Sequence, residues 1–161
     1  MDTTRRWILD ITTWVIGVLA GMVLIAHEAM ASGKLAAPPN ERWQAECASC
    51  HIAYPPGLLP AQTWKRLMSQ LDKHFGTDAS LEPAAADEIG AYLERHASLG
   101  RRAPPAGSLR ITESGWFLHE HDEVPPASWK LPAVKSAANC AACHTTAEQS
   151  DFRKRNIRIP R

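Results

Sequence analysis

All four cysteines of the chain belong to two copies of one five-residue pattern, C-x-x-C-H. The copies span Cys47–His51 (CASCH) and Cys140–His144 (CAACH). In this spacing the two thiols of a copy reach the two vinyl groups of one haem edge, and the adjacent histidine binds the iron. The pattern therefore predicts two covalently bound c-type haems. The attachment residues are Cys47, Cys50, Cys140 and Cys143, and the proximal iron ligands are His51 and His144.

Two other uses of paired cysteines explain the pattern less well. A zinc site needs four ligands close together and leaves the histidine after each pair without a role. A redox disulfide needs no second copy. Because the two copies use every cysteine of the chain, haem attachment is the better interpretation.

The second axial ligand of each iron decides between an electron carrier and a catalyst. A filled position suits electron transfer, whereas an open one binds small molecules. Four histidines remain once the proximal ligands and the N-terminal segment are set aside: His74, His96, His119 and His121. Met68 is the only methionine beyond that segment and fits ordinary core packing. The expectation is therefore two bis-histidine haems.

For the first haem we favour His74, which ends a predicted helix just before a loop. His96 is the rival, although its place in an apolar stripe also suits a core histidine. Only the basic tail follows His144, so the second haem must take its ligand from upstream. His119 and His121 both remain candidates there, and only one of them can face the iron.

Length and charge narrow the function further. A chain of 161 residues allows one compact domain or two small modules. The 18 Lys plus Arg and 17 Asp plus Glu leave a net charge of +1, which gives no broad positive field for nucleic acid. Nucleic acid is therefore not an expected partner. Two porphyrins would supply apolar surface that so short a chain can wrap as core.

An apolar run near the N-terminus predicts export. Residues 7–26 carry a single charge and follow Arg5 and Arg6, and an A-x-A arrangement of small residues ends at Ala31. The pattern favours a signal peptide over residues 1–31, cleaved after Ala31. The alternative is a retained anchor, in which residues 7–26 tether the protein to the inner membrane. Both interpretations place the remaining chain in the periplasm, because the arginines stay on the cytoplasmic side.

The rest of the chain divides into two modules. We predict a linker (32–39), a first haem module (40–99), a second linker rich in Pro, Gly and Arg (100–108), and a second, irregular haem module with a basic tail (109–161). No stretch alternates apolar and polar residues as strands do, so the fold class is all-α. The tail is either a solvated arm or a docking patch for an acidic partner.

Apolar periodicity and capping residues predict five helices. In the first module they run from an Asn40 cap toward Cys50, from Ala61 to Phe75, and from a Ser80 cap to about His96; in the second they lie around Trp116–His121 and from Ser136 onward.

At these residues the chain resembles the dihaem cytochrome c family of proteobacteria, over roughly residues 46–161. The similarity is carried by CASCHIAYPPGLLP, HFGTDASL, ITESGWFLHEH, VKSAANCAACH and the closing IRIP. The resemblance implies a first module like a class I cytochrome c, a small irregular second module, and bis-histidine ligation of both haems. It supports His74 for the first haem and His121 for the second. The family pattern has a basic residue at the position of His119.

The resemblance also implies a role. Family members are periplasmic electron carriers and not enzymes. It implies a membrane b-type cytochrome as donor and a small monohaem cytochrome, such as sphaeroides haem protein, as acceptor. The alternative is a small haem enzyme, a peroxidase or reductase with one open iron, which the surplus of histidines disfavours. A redox sensor is a third hypothesis, but the sequence offers no output domain for it.

Overall fold

The computed structural model describes residue 35 and residues 37–160. These residues belong to one compact unit, Lys34–Arg161. The predicted signal peptide over residues 1–31 and the possible tether at residues 7–26 lie outside the described residues. Within residue 35 and residues 37–160, no helix has the length and apolarity needed to cross a membrane.

The described part of the chain consists of short helices joined by turns, with isolated β-bridges but no strands. The all-α prediction is confirmed. The α-helices are α1 (Glu41–Cys47), α2 (Ala61–Met68), α3 (Pro83–Arg95) and α4 (Gly115–Glu120). The 3-10 turns are Pro56–Leu58, Leu71–Lys73, Ile111–Glu113, Ser128–Lys130, Cys140–Ala142, Ala147–Gln149 and Lys154–Asn156.

Helix α1 begins where the sequence predicts. The Asn40 side chain accepts a hydrogen bond of 2.7 Å from the Trp43 backbone N–H, and this satisfies one of the free donors at the helix start. The helix ends at Cys47 and does not continue toward Cys50. The first attachment motif therefore begins on the last helical residue.

The predicted extent of α2, as far as Phe75, is wrong. The helix stops at Met68, because the side chains of Ser69 and Gln70 turn back and donate to the Arg66 carbonyl at 2.8 and 3.1 Å. These local bonds compete with continuation of the helix. Phe75 then has a positive φ of 51°. His74 therefore follows the 3-10 turn Leu71–Lys73 and does not lie on a helix face.

Helix α3 is capped by Glu82, so the predicted cap at Ser80 is wrong. The Glu82 carboxylate accepts from the N–H groups of Ala84 and Ala85 at 3.1 and 3.3 Å. Pro83 occupies the first helical position, where its missing N–H costs nothing. The helix ends at Arg95.

One apolar core joins α1, α2 and α3. Its buried members are Trp43, Ala53, Leu59, Trp64, Leu67, Ile89, Tyr92 and Leu93. Met68 packs at the edge of this core, in line with the packing role expected for it. The core fixes the loop that follows the first attachment motif, because the Trp64 indole N–H donates to the Pro56 carbonyl at 2.6 Å.

The second half of the described chain has fewer buried apolar side chains. Phe117, Val134 and Ala147 are its buried apolar members. The helix predicted from Ser136 is wrong, since only the 3-10 turn Cys140–Ala142 forms there. Ser136 accepts from the Ala138 N–H at 3.1 Å, and the Asn139 side chain donates to the Val134 carbonyl at 3.1 Å. These bonds hold a turn in place of a helix.

Candidate haem sites

The two attachment motifs place their cysteines on short helical turns. Cys47 ends α1 and Cys140 starts a 3-10 turn, and none of the four cysteines forms a disulfide. Burial, helped by nearby Glu46, raises the pKa of Cys47 to about 11, and burial also raises that of Cys140 to about 11. A raised pKa keeps a thiol protonated, whereas the attacking thiol of a redox dithiol has a lowered pKa. In the described part of the chain no group of three or more His, Cys, Asp and Glu is placed to hold a metal ion.

The first motif histidine faces a second imidazole. The ring centroids of His51 and His74 lie 6.1 Å apart, with an interplanar angle of 29°. A metal between two imidazoles, about 2 Å from each nitrogen and with each nitrogen roughly 1 Å from its centroid, separates the centroids by about 6 Å. The residues of the first site therefore fit a haem iron held from both sides.

Hydrogen bonding and burial prepare this pair for iron. The Nδ1 atom of His51 lies 2.7 Å from the Ile52 carbonyl. A carbonyl can only accept, so Nδ1 carries the proton and Nε2 is left free to bind metal. Burial, reinforced by the neighbouring His51, lowers the pKa of His74, which keeps that ring neutral and able to ligate. A cavity of about 420 Å³, lined in part by Leu67, His74 and Leu109, opens beside the pair.

The second motif has the same arrangement. The ring centroids of His121 and His144 lie 6.1 Å apart, at an interplanar angle of 74°. His121 follows the last residue of α4, and its Nδ1 donates to the Phe117 carbonyl at 2.8 Å, which again leaves Nε2 free. Burial and the nearby His121 lower the pKa of His144. The Nδ1 atom of His144 is buried without a hydrogen-bond partner among the described residues.

Aromatic side chains enclose the second pair. The Phe117 ring stacks on His121 at a centroid distance of 4.0 Å, and Trp129 lies 5.9 Å from the same imidazole. Phe152 packs edge-on against His144 at 5.2 Å. Together these rings make an apolar wall on both sides of the site, which suits a porphyrin.

The structure keeps the rival histidines away from both pairs. His96 follows the end of α3 and packs on Tyr92 at a centroid distance of 5.1 Å. The His119 side chain is 81% exposed and lies 4.0 Å from the Asp122 carboxylate. Of the four candidate second ligands, only His74 and His121 face a motif histidine within the described residues.

Tyr54 was not singled out by the sequence, and it links the two sites. Its ring stacks on His51 at a centroid distance of 4.6 Å, and its hydroxyl donates to the Ala138 carbonyl at 2.6 Å. Ala138 lies two residues before Cys140. Burial, with a smaller contribution from Cys140, raises the pKa of Tyr54 to about 12, so the hydroxyl remains a donor at neutral pH. In the sequence, the position of Tyr54 three residues after His51 is what associates it with the first haem site.

An all-α chain with two C-x-x-C-H motifs, each facing a further histidine, defines a c-type cytochrome with two haems. The family model of dihaem cytochrome c matches residues 43–152, and the chain belongs to that family. Membership confirms the expected cofactors: the protein carries two covalently bound c-type haems. No curated protein matches the chain.

Solved structures of two organisms are similar to this chain. DHC purified from Rhodobacter sphaeroides is 42% identical, with a TM-score of 0.64 over 73% of this chain and 100% of that one. The diheme cytochrome type c from Shewanella baltica is 39% identical, with a TM-score of 0.68 over 77% of this chain and 95% of that one. Both are themselves dihaem proteins with the same helical fold.

Proposed function

We propose that this protein is a periplasmic electron carrier whose irons are both ligated by two histidines. The observation that carries the proposal is the repeated 6.1 Å separation of imidazole rings at His51/His74 and His121/His144. Two such pairs leave no coordination position free for a substrate. The bound haems supply reversible one-electron chemistry.

The protein's own residues orient the ligands and exclude water. The carbonyls of Ile52 and Phe117 fix His51 and His121 by accepting from Nδ1. This kind of hydrogen bond makes a histidine a more basic ligand. Histidine in place of methionine at the second position gives a comparatively low reduction potential. The first site is thus built for electron exchange at low potential, and the same holds for the second.

The partners and the location are further parts of the proposal. We propose that a membrane b-type cytochrome donates electrons and that a small monohaem cytochrome, such as sphaeroides haem protein, accepts them. Export by residues 1–31, or tethering by residues 7–26, would bring the protein to the periplasm, where both partners are accessible. Family membership and the apolar N-terminal run support this assignment.

Carbon monoxide tests the ligation. The reduced wild-type holoprotein is expected to bind no carbon monoxide, because both irons are six-coordinate. His74→Ala should open the first iron and His121→Ala the second, each giving a high-spin or water-ligated spectrum and ready carbon monoxide binding. His96→Ala and His119→Ala are the matched controls and should leave both spectra unchanged.

The same experiment separates the carrier from the enzyme. Rapid binding of carbon monoxide to one haem of the wild-type protein would refute the carrier proposal and favour a small peroxidase or reductase with one open iron. If His96→Ala changed the haem spectra as much as His74→Ala, or His119→Ala as much as His121→Ala, the ligand assignment would be refuted.

A further inference from the structure

The C-terminal tail is fastened to the second attachment motif and is not a loose arm. The Arg158 N–H donates to the Cys143 carbonyl at 2.8 Å, and the Thr145 N–H donates to the Asn156 carbonyl at 3.1 Å. His144 and Ile157 form an antiparallel β-bridge between these bonds. The basic residues of the tail are therefore held beside the second haem site.

Three of these basic side chains form no ion pair with any described residue. We call Lys154, Arg155 and Arg158 the basic tail face; all three are exposed. Asp151 is the nearby carboxylate, and it is already occupied by the Arg153 guanidinium. No acidic residue occurs between positions 152 and 160.

The basic tail face is also held in place. The Arg158 guanidinium donates to the backbone carbonyls of Arg155 and Ile157, at 3.1 and 2.7 Å. Carbonyls position the side chain without cancelling its full charge. A fixed cation presents a more defined electrostatic surface to a partner than a freely moving one does.

The stretch of sequence around the first attachment motif is less basic. No Lys or Arg occurs between positions 43 and 64, whereas Glu41 and Glu46 lie on α1 and are exposed. Arg110, which lies over the Phe75 ring beside His74, is paired with Glu113, whereas the tail cations have no such partner among the described residues, so an acidic partner is favoured at the second site. The difference in charge can direct a partner to one of the two haems.

Given the proposed carrier function, we propose that the basic tail face is the docking surface for an acidic redox protein that takes up one electron at the second haem site. Positive charge beside the site steers a negative partner during encounter and sets its orientation. Such steering raises association rates by 10-fold or more at low salt, as an order of magnitude, and fades as salt screens it.

Small charged oxidants can test the surface before the partner is identified. The reduced holoprotein is mixed with ferricyanide, which accepts one electron and becomes ferrocyanide, or with the cationic tris(phenanthroline)cobalt(III) complex. The test variant is Lys154→Glu/Arg155→Glu. The control is Lys65→Glu/Arg66→Glu, which makes the same change in net charge on exposed residues of α2.

The expected result is a difference between the two variants. At about 0.1 M salt, where the Debye length is about 10 Å and distant charges are largely screened, the tail variant should react with ferricyanide about fivefold more slowly and with the cobalt complex faster. The control variant should change either rate by less than twofold. At about 1 M salt the difference should disappear. Equal slowing of both variants would show that only net charge matters and would overturn the proposal.

Titration calorimetry of poly-L-glutamate binding to the oxidised holoprotein gives a readout that needs no electron transfer. Affinity should fall about tenfold in the tail variant and remain within twofold in the control. If the tail variant instead loses only its binding to vesicles containing phosphatidylglycerol, the surface contacts a membrane and the proposal is wrong.

Unchanged haem spectra in both variants show that they are folded. Failure of the carrier function itself would be seen separately, as carbon monoxide binding by the wild-type protein. The two hypotheses can therefore fail independently.

Discussion

Tyr54 offers the sharpest test of how the two haem sites are joined. Its ring lies against His51, and its hydroxyl reaches the Ala138 carbonyl across 84 positions of sequence. Tyr54→Phe keeps the stacked ring and removes only this hydrogen bond. The change therefore isolates the link between the first proximal ligand and the loop that carries the second attachment motif.

The expected loss is about 1–2 kcal/mol in the free energy of unfolding. The hydrogen bond itself contributes about 1 kcal/mol, and a half-buried carbonyl left without its donor adds a similar cost unless water replaces it. For a unit of this size, 1 kcal/mol corresponds to a melting temperature lower by roughly 4 °C. Guanidinium unfolding of the oxidised holoprotein, followed by circular dichroism, measures the difference.

Tyr92→Phe is the matched control. The Tyr92 hydroxyl donates to the Pro38 carbonyl at 3.0 Å. Tyr92→Phe therefore also removes one tyrosine hydroxyl bond, but this bond does not involve the second motif. Both variants should lose similar stability. Only Tyr54→Phe should alter the electron paramagnetic resonance spectrum of the second haem, because Ala138 lies two residues before Cys140. Identical spectra for the two variants, or a stability loss below about 0.3 kcal/mol for Tyr54→Phe, would refute the reasoning.

Three further outcomes follow from the contacts. Hydrogen bonds from Arg153 hold the pKa of Asp151 below its usual range, so this carboxylate stabilises the fold above pH about 4, and the contribution is lost as pH falls further. Asp151→Asn should accordingly be less stable than wild type at pH 7 and lose less on acidification, as denaturant unfolding at both pH values would show. Phe117→Ala should cost about 3 kcal/mol and give the reduced second haem a slow reaction with carbon monoxide, since Phe117 is buried and covers His121. Cys140→Ala/Cys143→Ala, which removes attachment of the second haem, should raise hydrogen exchange over residues 109–160 far more than over 83–95; equal exchange in both ranges would contradict this.

The features predicted correctly from the sequence are those that a few neighbouring residues determine. The C-x-x-C-H motifs indicate haem attachment by their own spacing, and the Asn40 cap needs only the N–H of Trp43, three residues later. The end of α2 at Met68 was predicted wrongly, although its cause is also local. The side chains of Ser69 and Gln70 donate to the Arg66 carbonyl and so compete with the backbone hydrogen bonds of a longer helix. Apolar periodicity carries no information about this competition.

Other features depend on contacts between distant residues. The hydroxyl of Tyr54 meets Ala138, and Asn156 meets Thr145, only because the chain folds back on itself. Periodicity and capping describe single elements and cannot place two loops side by side. For the same reason the residues alone left His119 and His121 undecided. The packing of Phe117 and Trp129 around His121 is tertiary, so it could not be predicted from local sequence.

The two haem sites rest on unequal amounts of protein core. The first is supported by buried side chains from three helices. Among the described residues of the second, only Phe117, Val134 and Ala147 are buried apolar side chains. So few apolar side chains cannot offset the entropy of ordering some fifty residues. The second porphyrin must therefore serve as core there. Since the tail bonds to the motif that attaches this haem, we expect binding of the cofactor to stabilise the fixed position of the basic tail face. An acidic partner that docks on this face would thereby select the mature, redox-competent protein over its precursor.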